Sequence, residues 1–120
     1  MRLIEIRSYQ LKPDTRDEYD RLFREDVSPL LRQHGIDVVG FGGSLGDPNG
    51  YFLIRAFADV ADRERREEAF YSSPEWRSGP REAVIGRLVV FTDAILELED
   101  DVVEALRRGL AESASRFVKS

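Results

Sequence analysis

Leu3-Ile4-Glu5-Ile6-Arg7-Ser8-Tyr9-Gln10-Leu11 is the stretch that decides the fold. Ile4 and Ile6 fall on one side and Leu3, Glu5, Arg7 and Tyr9 on the other, the period-two alternation of a β-strand. Lys12-Pro13-Asp14 ends it, and Thr15 followed by Glu18 reads as a capping box opening a helix. Along that helix Tyr19, Leu22, Phe23, Val27, Leu30 and Leu31 recur at helical spacing as one apolar stripe. Pro29 lies inside the pattern and is expected to kink or interrupt the helix, because proline has no N–H to donate. His34-Gly35 closes it, Gly35 being suited to a left-handed position past the last turn.

A second strand is expected over about residues 36–45, with Gly40, Gly42 and Gly43 loosening it or allowing a bulge. Asp47-Pro48-Asn49-Gly50 is a strong turn signal: Pro presets one dihedral and Asn-Gly accepts positive φ. The third strand, about 51–58, is rich in aromatic and branched residues and pairs with the second as a hairpin. Asp59 caps a second helix running to about Tyr71. Ser73-Pro74 starts another segment, with Ser at the N-cap and Pro at the first helical position, and Gly79-Pro80 breaks it before Ala83, Val84 and Ile85. The fourth strand spans about 87–98, and a final helix of about 101–111 presents Val102, Val103, Leu106 and Leu110 on one face.

The order β-α-β-β-α-β with an appended helix is the split βαβ, ferredoxin-like arrangement of an α+β domain. Both long helices are expected on one face of a four-stranded antiparallel sheet. With Ile4 and Ile6 turned toward them, the open face exposes Leu3, Tyr9, Tyr51, Leu53 and Phe57. An apolar sheet face marks an interface, and a two-fold partner is the commonest cover, so a homodimer through that face is expected.

The 120 residues suit one core. Apolar residues make up 42% and charged residues 34%, a globular balance. No apolar run nears the roughly 20 residues that span a bilayer, and charge interrupts the N-terminus at once. The chain is expected in the cytoplasm, without membrane binding. Without cysteine there are no disulfides or thiolate sites, and one histidine cannot build a common zinc site. No loop has calcium or magnesium ligand spacing. The net charge of −5 argues against nucleic acid. Asp62-Arg63-Glu64-Arg65-Arg66-Glu67-Glu68 reads as a solvated helix face.

Ile4-Glu5-Ile6-Arg7-Ser8-Tyr9-Gln10-Leu11-Lys12-Pro13 resembles the opening strand of NIPSNAP proteins, where Glu-x-Arg-x-Tyr runs into Leu-Lys-Pro. Pro29-Leu30-Leu31-Arg32-Gln33-His34-Gly35 is similar to the end of that family's first helix, and Ser73-Pro74-Glu75-Trp76 to its loop before the last helical segment. The likeness covers roughly residues 2–98. It implies a dimeric α+β barrel, with residues 1–98 as the barrel domain and 99–120 as a helical extension. It departs from the family at the third strand, where a Trp-x-Tyr-like pair is common and this chain has Arg55 and Phe57. It departs again in the helix after Glu99, which passes the usual family end and is free to pack in cis or on a partner.

If Ile4 and Ile6 face the helices, then Glu5, Arg7 and Tyr9 face the barrel interior with Tyr51, Leu53, Arg55 and Phe57. Such a cavity suits a small acidic or aromatic molecule, with Arg as a bidentate clamp. Its expected ligand-binding residues are Glu5, Arg7, Tyr9, Tyr51, Arg55, Phe57 and Trp76. Candidates for a catalytic role are Glu5, Tyr9 and His34. Glu5 would be a general base if desolvation raised its pKa; the plainer alternative is a cross-strand ion pair with Arg7 or Arg55. His34 would be a proton shuttle or, as in some superfamily relatives, an axial haem ligand. Its position before Gly35 favours bonding the last helix carbonyls, so no metal or cofactor is expected. Trp76 reads first as a packing anchor and second as a ligand lid. Gly40-Phe41-Gly42-Gly43 does not lead into a helix and fails the dinucleotide fingerprint, and one imidazole makes a Ser-His-acid triad a poor fit.

Two functional classes follow. One is a NIPSNAP-like small-molecule-binding protein of unsettled biochemical role. The other is a cofactor-independent monooxygenase or isomerase acting on an aromatic or enolisable substrate, a reading that rests on fold analogy.

Overall fold

Strand β1 (Arg2–Leu11) is the axis of the molecule, since Leu3 and Ile4, on opposite faces, are both buried. The computed structural model describes the backbone of residues 1–119 and the side chains of residues 1–113. After β1 come α1 (Arg16–Leu22), a π-helical segment (Phe23–Val27), α2 (Ser28–Gln33), β2 (Asp37–Gly43) and β3 (Gly50–Phe57). Then follow α3 (Val60–Tyr71), α4 (Pro74–Arg77), α5 (Arg81–Arg87), β4 (Leu88–Leu98) and α6 (Asp100–Lys119). The sheet order is β2-β3-β1-β4, with all three pairings antiparallel. Two parallel crossovers, β1 to β2 and β3 to β4, therefore each straddle one strand, and the chain has the expected ferredoxin-like α+β fold.

Local signals account for most boundaries. Asp59 accepts from the Asp62 N–H at 2.8 Å and caps α3. Ser73 accepts from the Trp76 N–H at 3.3 Å and caps α4, with Pro74 in its first turn. The Asp47–Gly50 turn closes through Gly50 N–H to Asp47 O at 3.0 Å, and neither Asn49 nor Gly50 needs a positive φ. Pro29 has the effect its chemistry demands: the preceding turn widens, and the Ser28 N–H bonds to the carbonyl of Phe23, five residues back. Thr15 corrects the capping box, because its hydroxyl donates back to Lys12 O at 2.8 Å and leaves the first helical N–H groups uncapped.

The faces of the sheet are the reverse of the sequence expectation. Leu3, Tyr9, Tyr51, Leu53 and Phe57 are no more than 6% exposed and form one core with Tyr19, Phe23, Val27 and Leu31. They lie beneath α1, α2 and α3 rather than on an open face. Ile4 joins Val39, Ile54 and Ala56 in a second cluster on the other face, roofed by Val103, Leu106 and Leu110 of α6. Alternation says which residues share a face. Which layer covers that face is fixed by the direction of the crossovers, which is not a local property.

Helix α6 packs on the sheet of its own chain. Arg107 forks onto Asp37 through bonds of 2.9 and 3.0 Å, and Arg2 adds a third bond of 2.7 Å. Gly40 makes the approach possible, because a Cβ there would stand 2.5 Å from Cδ1 of Leu110. The β2–β3 register also shifts between Val38 and Gly40, the expected bulge. Most of β4 is left uncovered: Val90 (56%), Phe91 (42%), Ile95 (43%) and Leu96 (36%) are exposed on both faces of this edge strand, although Leu98 packs in the cluster under α6. Among the described residues no helix is long and apolar enough to cross a membrane.

Candidate functional site

Because β1 lies between β3 and β4, each of its inward side chains gains two lateral neighbours. Glu5 is opposite Arg55 and Ile95, Arg7 opposite Leu53 and Asp93, and Tyr9 opposite Tyr51 and Phe91. Helix α3 crosses above them and presents Arg63, Glu67 and Tyr71, spaced four residues apart and so on one helical face. Three guanidiniums and three carboxylates meet here. Arg55 donates to Glu5 through Nε at 2.7 Å and again through Nη2, and reaches Glu67 at 3.2 Å. Arg63 donates to the other Glu5 oxygen at 2.7 Å. Arg7 donates through Nε to Asp93 at 2.8 Å and lies 3.5 Å from Glu67. The Tyr71 hydroxyl accepts from both Arg7 (3.1 Å) and Arg55 (2.9 Å).

The two central carboxyls are driven apart. Burial raises Glu5, but a hydrogen bond from Glu67 and the charges of Arg55 and Arg7 outweigh it and hold Glu5 at about 2. Burial and the neighbouring Glu5 push Glu67 up to about 7 despite the pull of Arg55. The two carboxyls thus favour opposite protonation states inside an arginine cage. Both Arg7 and Arg55 stay charged: burial works against the cation, but the surrounding acidic groups more than offset it.

Beside this network lies a cavity of about 330 Å³ between the sheet and the helices. Its walls are aromatic: Tyr9, Tyr19, Phe23, Phe70 and Trp76, with Phe91 and the half-exposed Ile85 at the mouth. Arg7 and Tyr71 form its polar end, and the Arg7 guanidinium lies 4.5 Å from the centre of the Phe91 ring. The π-helical turn forced by Pro29 carries Phe23 and Val27, both of which line the cavity.

The expected ligand-binding residues divide into three groups. Arg7, Tyr9 and Trp76 line the cavity. Glu5 and Arg55 lie behind its wall, fully buried and paired to each other, which is the cross-strand ion pair rather than a base facing a ligand. Tyr51 and Phe57 belong to the core, and the Tyr51 hydroxyl donates to Asp20 at 2.7 Å. The expected cavity inside the barrel is thus corrected to one beneath the helices, since the inward face is the helix-covered one. His34 stands apart from the cavity lining, edge-on to Phe70 and 3.9 Å from Glu75. It does not serve as the carbonyl cap either; Arg66 of α3 donates to Gly35 O at 2.8 Å, and Gly35 itself has the left-handed φ of 78°.

Sequence reading missed Arg63, Glu67, Tyr71 and Asp93, and took Tyr19 and Phe23 for core alone. The run from Asp62 to Glu68 is a solvated face only in part. The available signal was that α3 packs on the sheet yet has few apolar residues, so the face carrying 63, 67 and 71 had to be buried by pairing.

A four-stranded antiparallel sheet with two split crossovers defines a ferredoxin-like α+β protein, here with an aromatic cavity between sheet and helices. The NIPSNAP family model matches residues 4–92, and the chain belongs to that family. An uncharacterized NIPSNAP-like domain protein from Burkholderia xenovorans superposes with a TM-score of 0.75 at 24% identity, covering 82% of this chain and 86% of that one. A putative antibiotic biosynthesis monooxygenase from Nitrosomonas europaea shares the fold with a TM-score of 0.64 at 16% identity, covering 82% and 91%. A steroid C26-monooxygenase from Mycolicibacterium smegmatis is 39% identical over 59 residues, which are 47% of this chain but 14% of that protein. The chain thus spans a small part of the curated relative it matches.

Proposed function

We propose that the protein is a homodimer that binds a small, flat, largely apolar molecule in the chamber between the sheet and the helices of each subunit. The supporting observation is the chamber itself. Protein interiors are packed with few voids larger than a water molecule, and about 330 Å³ falls within the usual size of ligand sites. Aromatic walls favour a planar guest, and one polar end would orient it. Pairing through β4, whose apolar side chains are exposed on both faces, would remove an unprotected edge from solvent. A cytoplasmic setting is part of the same proposal.

Trp76, the one tryptophan in the chain, lines the chamber and is a built-in reporter. Titration with one- and two-ring aromatics is expected to quench its emission and raise the melting temperature, since a ligand at about a hundred times its Kd adds about 2.7 kcal/mol. If no planar aromatic of that size changes either signal, the binding reading fails.

A second reading is an enzyme that needs no resident cofactor and oxygenates or isomerises an aromatic or enolisable substrate in the same chamber. Its support is the likeness in fold to the putative monooxygenase from Nitrosomonas europaea. The engagement of Glu5 by Arg55 and Arg63 argues against that residue as the base. Oxygen uptake with hydroxylated aromatics separates the two readings: binding without uptake or isomerisation supports the binding protein.

A further inference from the structure

The chamber's polar groups are cations and donor hydroxyls, with no carboxylate or amide oxygen among them. Among the described residues that line it there is no Asp, Glu, Asn, Gln, His, Ser or Thr; the polar side chains are Arg7, Arg81, Trp76 and the phenols of Tyr9, Tyr19 and Tyr71. Tyr71 accepts hydrogen bonds from two guanidiniums, Arg7 and Arg55, which occupies both oxygen lone pairs. What remains is its O–H, which makes no hydrogen bond of its own among the described residues. Tyr19 is 1% exposed, and its hydroxyl has no hydrogen-bond partner at all, a costly arrangement in a buried site unless something fills it. Tyr9, Tyr19, Tyr71 and Arg7 all line this one chamber, and the Tyr9 and Tyr19 rings lie 6.0 Å apart.

The two arginines beside Tyr71 are positioned to supply charge rather than a clamp, while Arg81, also in the lining, is partly exposed and bonded to Glu82. Arg7 spends Nε on Asp93, Nη1 on Tyr71 and directs Nη2 toward Glu67. Arg55 spends its groups on Glu5, Tyr71 and Glu67. Neither guanidinium has a free edge to fork onto a carboxylate. Unspent hydroxyl donors in one chamber, backed by fixed positive charge, instead match one oxygen atom that carries negative charge.

We propose that the polar end of the chamber is a single-oxygen site, which takes the ionised hydroxyl oxygen of a planar phenol or enol on the Tyr71 and Tyr19 hydroxyls, with Arg7 supplying the compensating charge. This rests on the chamber being a ligand site. It goes further in fixing the ligand's chemistry: a weak oxygen acid on a conjugated frame, bound as its anion.

Three probes of one shape test it on the intact protein: 4-nitrophenol, whose phenolate absorbs in the visible, the neutral 4-nitrotoluene, and the carboxylate 4-nitrobenzoate. All are followed by quenching of Trp76. Bound 4-nitrophenol is expected to ionise with a pKa lower by about one unit or more than in free solution, a tenfold or greater preference for the anion. The shift should shrink several-fold in Tyr71→Phe and in Tyr19→Phe, and 4-nitrobenzoate should bind within a few-fold of 4-nitrotoluene. If 4-nitrotoluene binds but bound 4-nitrophenol titrates as it does in solution, the single-oxygen site is wrong and the chamber reading stands. Binding of 4-nitrobenzoate tenfold tighter than 4-nitrotoluene would likewise overturn it in favour of a carboxylate site. If no probe binds, both readings fall. Should a tyrosine variant not fold, the titration of the wild-type protein decides alone.

Discussion

Glu67 shows how far a side chain's chemistry depends on what surrounds it. Its neighbours in the sequence are charged and mostly solvated, yet it sits on the sheet side of α3 near Glu5, with its carboxyl pushed up from 4.5 to about 7 by burial and by Glu5. The native state thus holds a proton that the unfolded chain releases above about pH 4.5. The stability this group contributes is complete below that pH and is lost as the pH rises through about 7. Glu5 has the opposite sense: held at about 2, it stabilises above 4.5 and loses that contribution as the pH falls toward 2. The urea midpoint of the wild type is therefore expected to decline between pH 5 and 8, and Glu67→Gln to flatten that decline; equal slopes in the two proteins would refute the assignment. Arg55 is a second test at this scale. With a fully buried side chain bonded to Glu5, its replacement by alanine strands a buried carboxylate and is expected to cost about 3–5 kcal/mol by denaturant melting. A loss below about 1 kcal/mol would mean that solvent reaches the network. The pairing of Glu5 with Arg55 was legible as one alternative in β1 and β3. Its extension to Glu67, Arg63 and Tyr71 was not, because it spans two elements whose relative placement no local pattern contains.

Elements behave as their punctuation dictates, with the exceptions at contacts between them. Pro29 produces a π-turn, and Gly35, Asp59 and Ser73 end or begin helices where their chemistry requires. Thr15 fails as a cap because a nearer carbonyl, that of Lys12, takes its hydroxyl. For α6 the sequence left open which surface it covers; Gly40, Leu110 and the Arg107–Asp37 fork seat it on its own sheet. Gly40→Ala is expected to destabilise by about 1–3 kcal/mol through overpacking. Leu110→Ala in the same chain should recover part of that loss, since the two sites share one contact. Strict additivity of the two changes in thermal melting would show that α6 does not approach the sheet at this point. A shorter final helix was expected, to about Ala111, and the observed one runs to Lys119; helix ends that lack a Gly or Pro stop are poorly marked in sequence.

At the scale of the whole molecule the open question is what covers β4. Its exposed Val90 and Leu96 on one face, and Phe91 and Ile95 on the other, are continuous with the mouth of the chamber through Phe91. A dimer is expected by sedimentation at micromolar concentration, and Val90→Glu with Leu96→Glu is expected to give monomers of 13.7 kDa that keep their helical content. Wild-type protein that sediments only as monomer would refute the proposed pairing. The sequence by itself determined the number, order and type of the elements, the turns between them and the sets of side chains that share a strand face. These follow from dihedral preferences and periodicities that act over a few residues. Only the tertiary structure decided that Glu5, Arg7 and Tyr9 lie under the helices, that the chamber is there and not on the open face, and that α6 roofs the other side. Those outcomes depend on the direction in which two crossovers pass over the sheet, and on which charges lose water together. Residues far apart in the chain settle both.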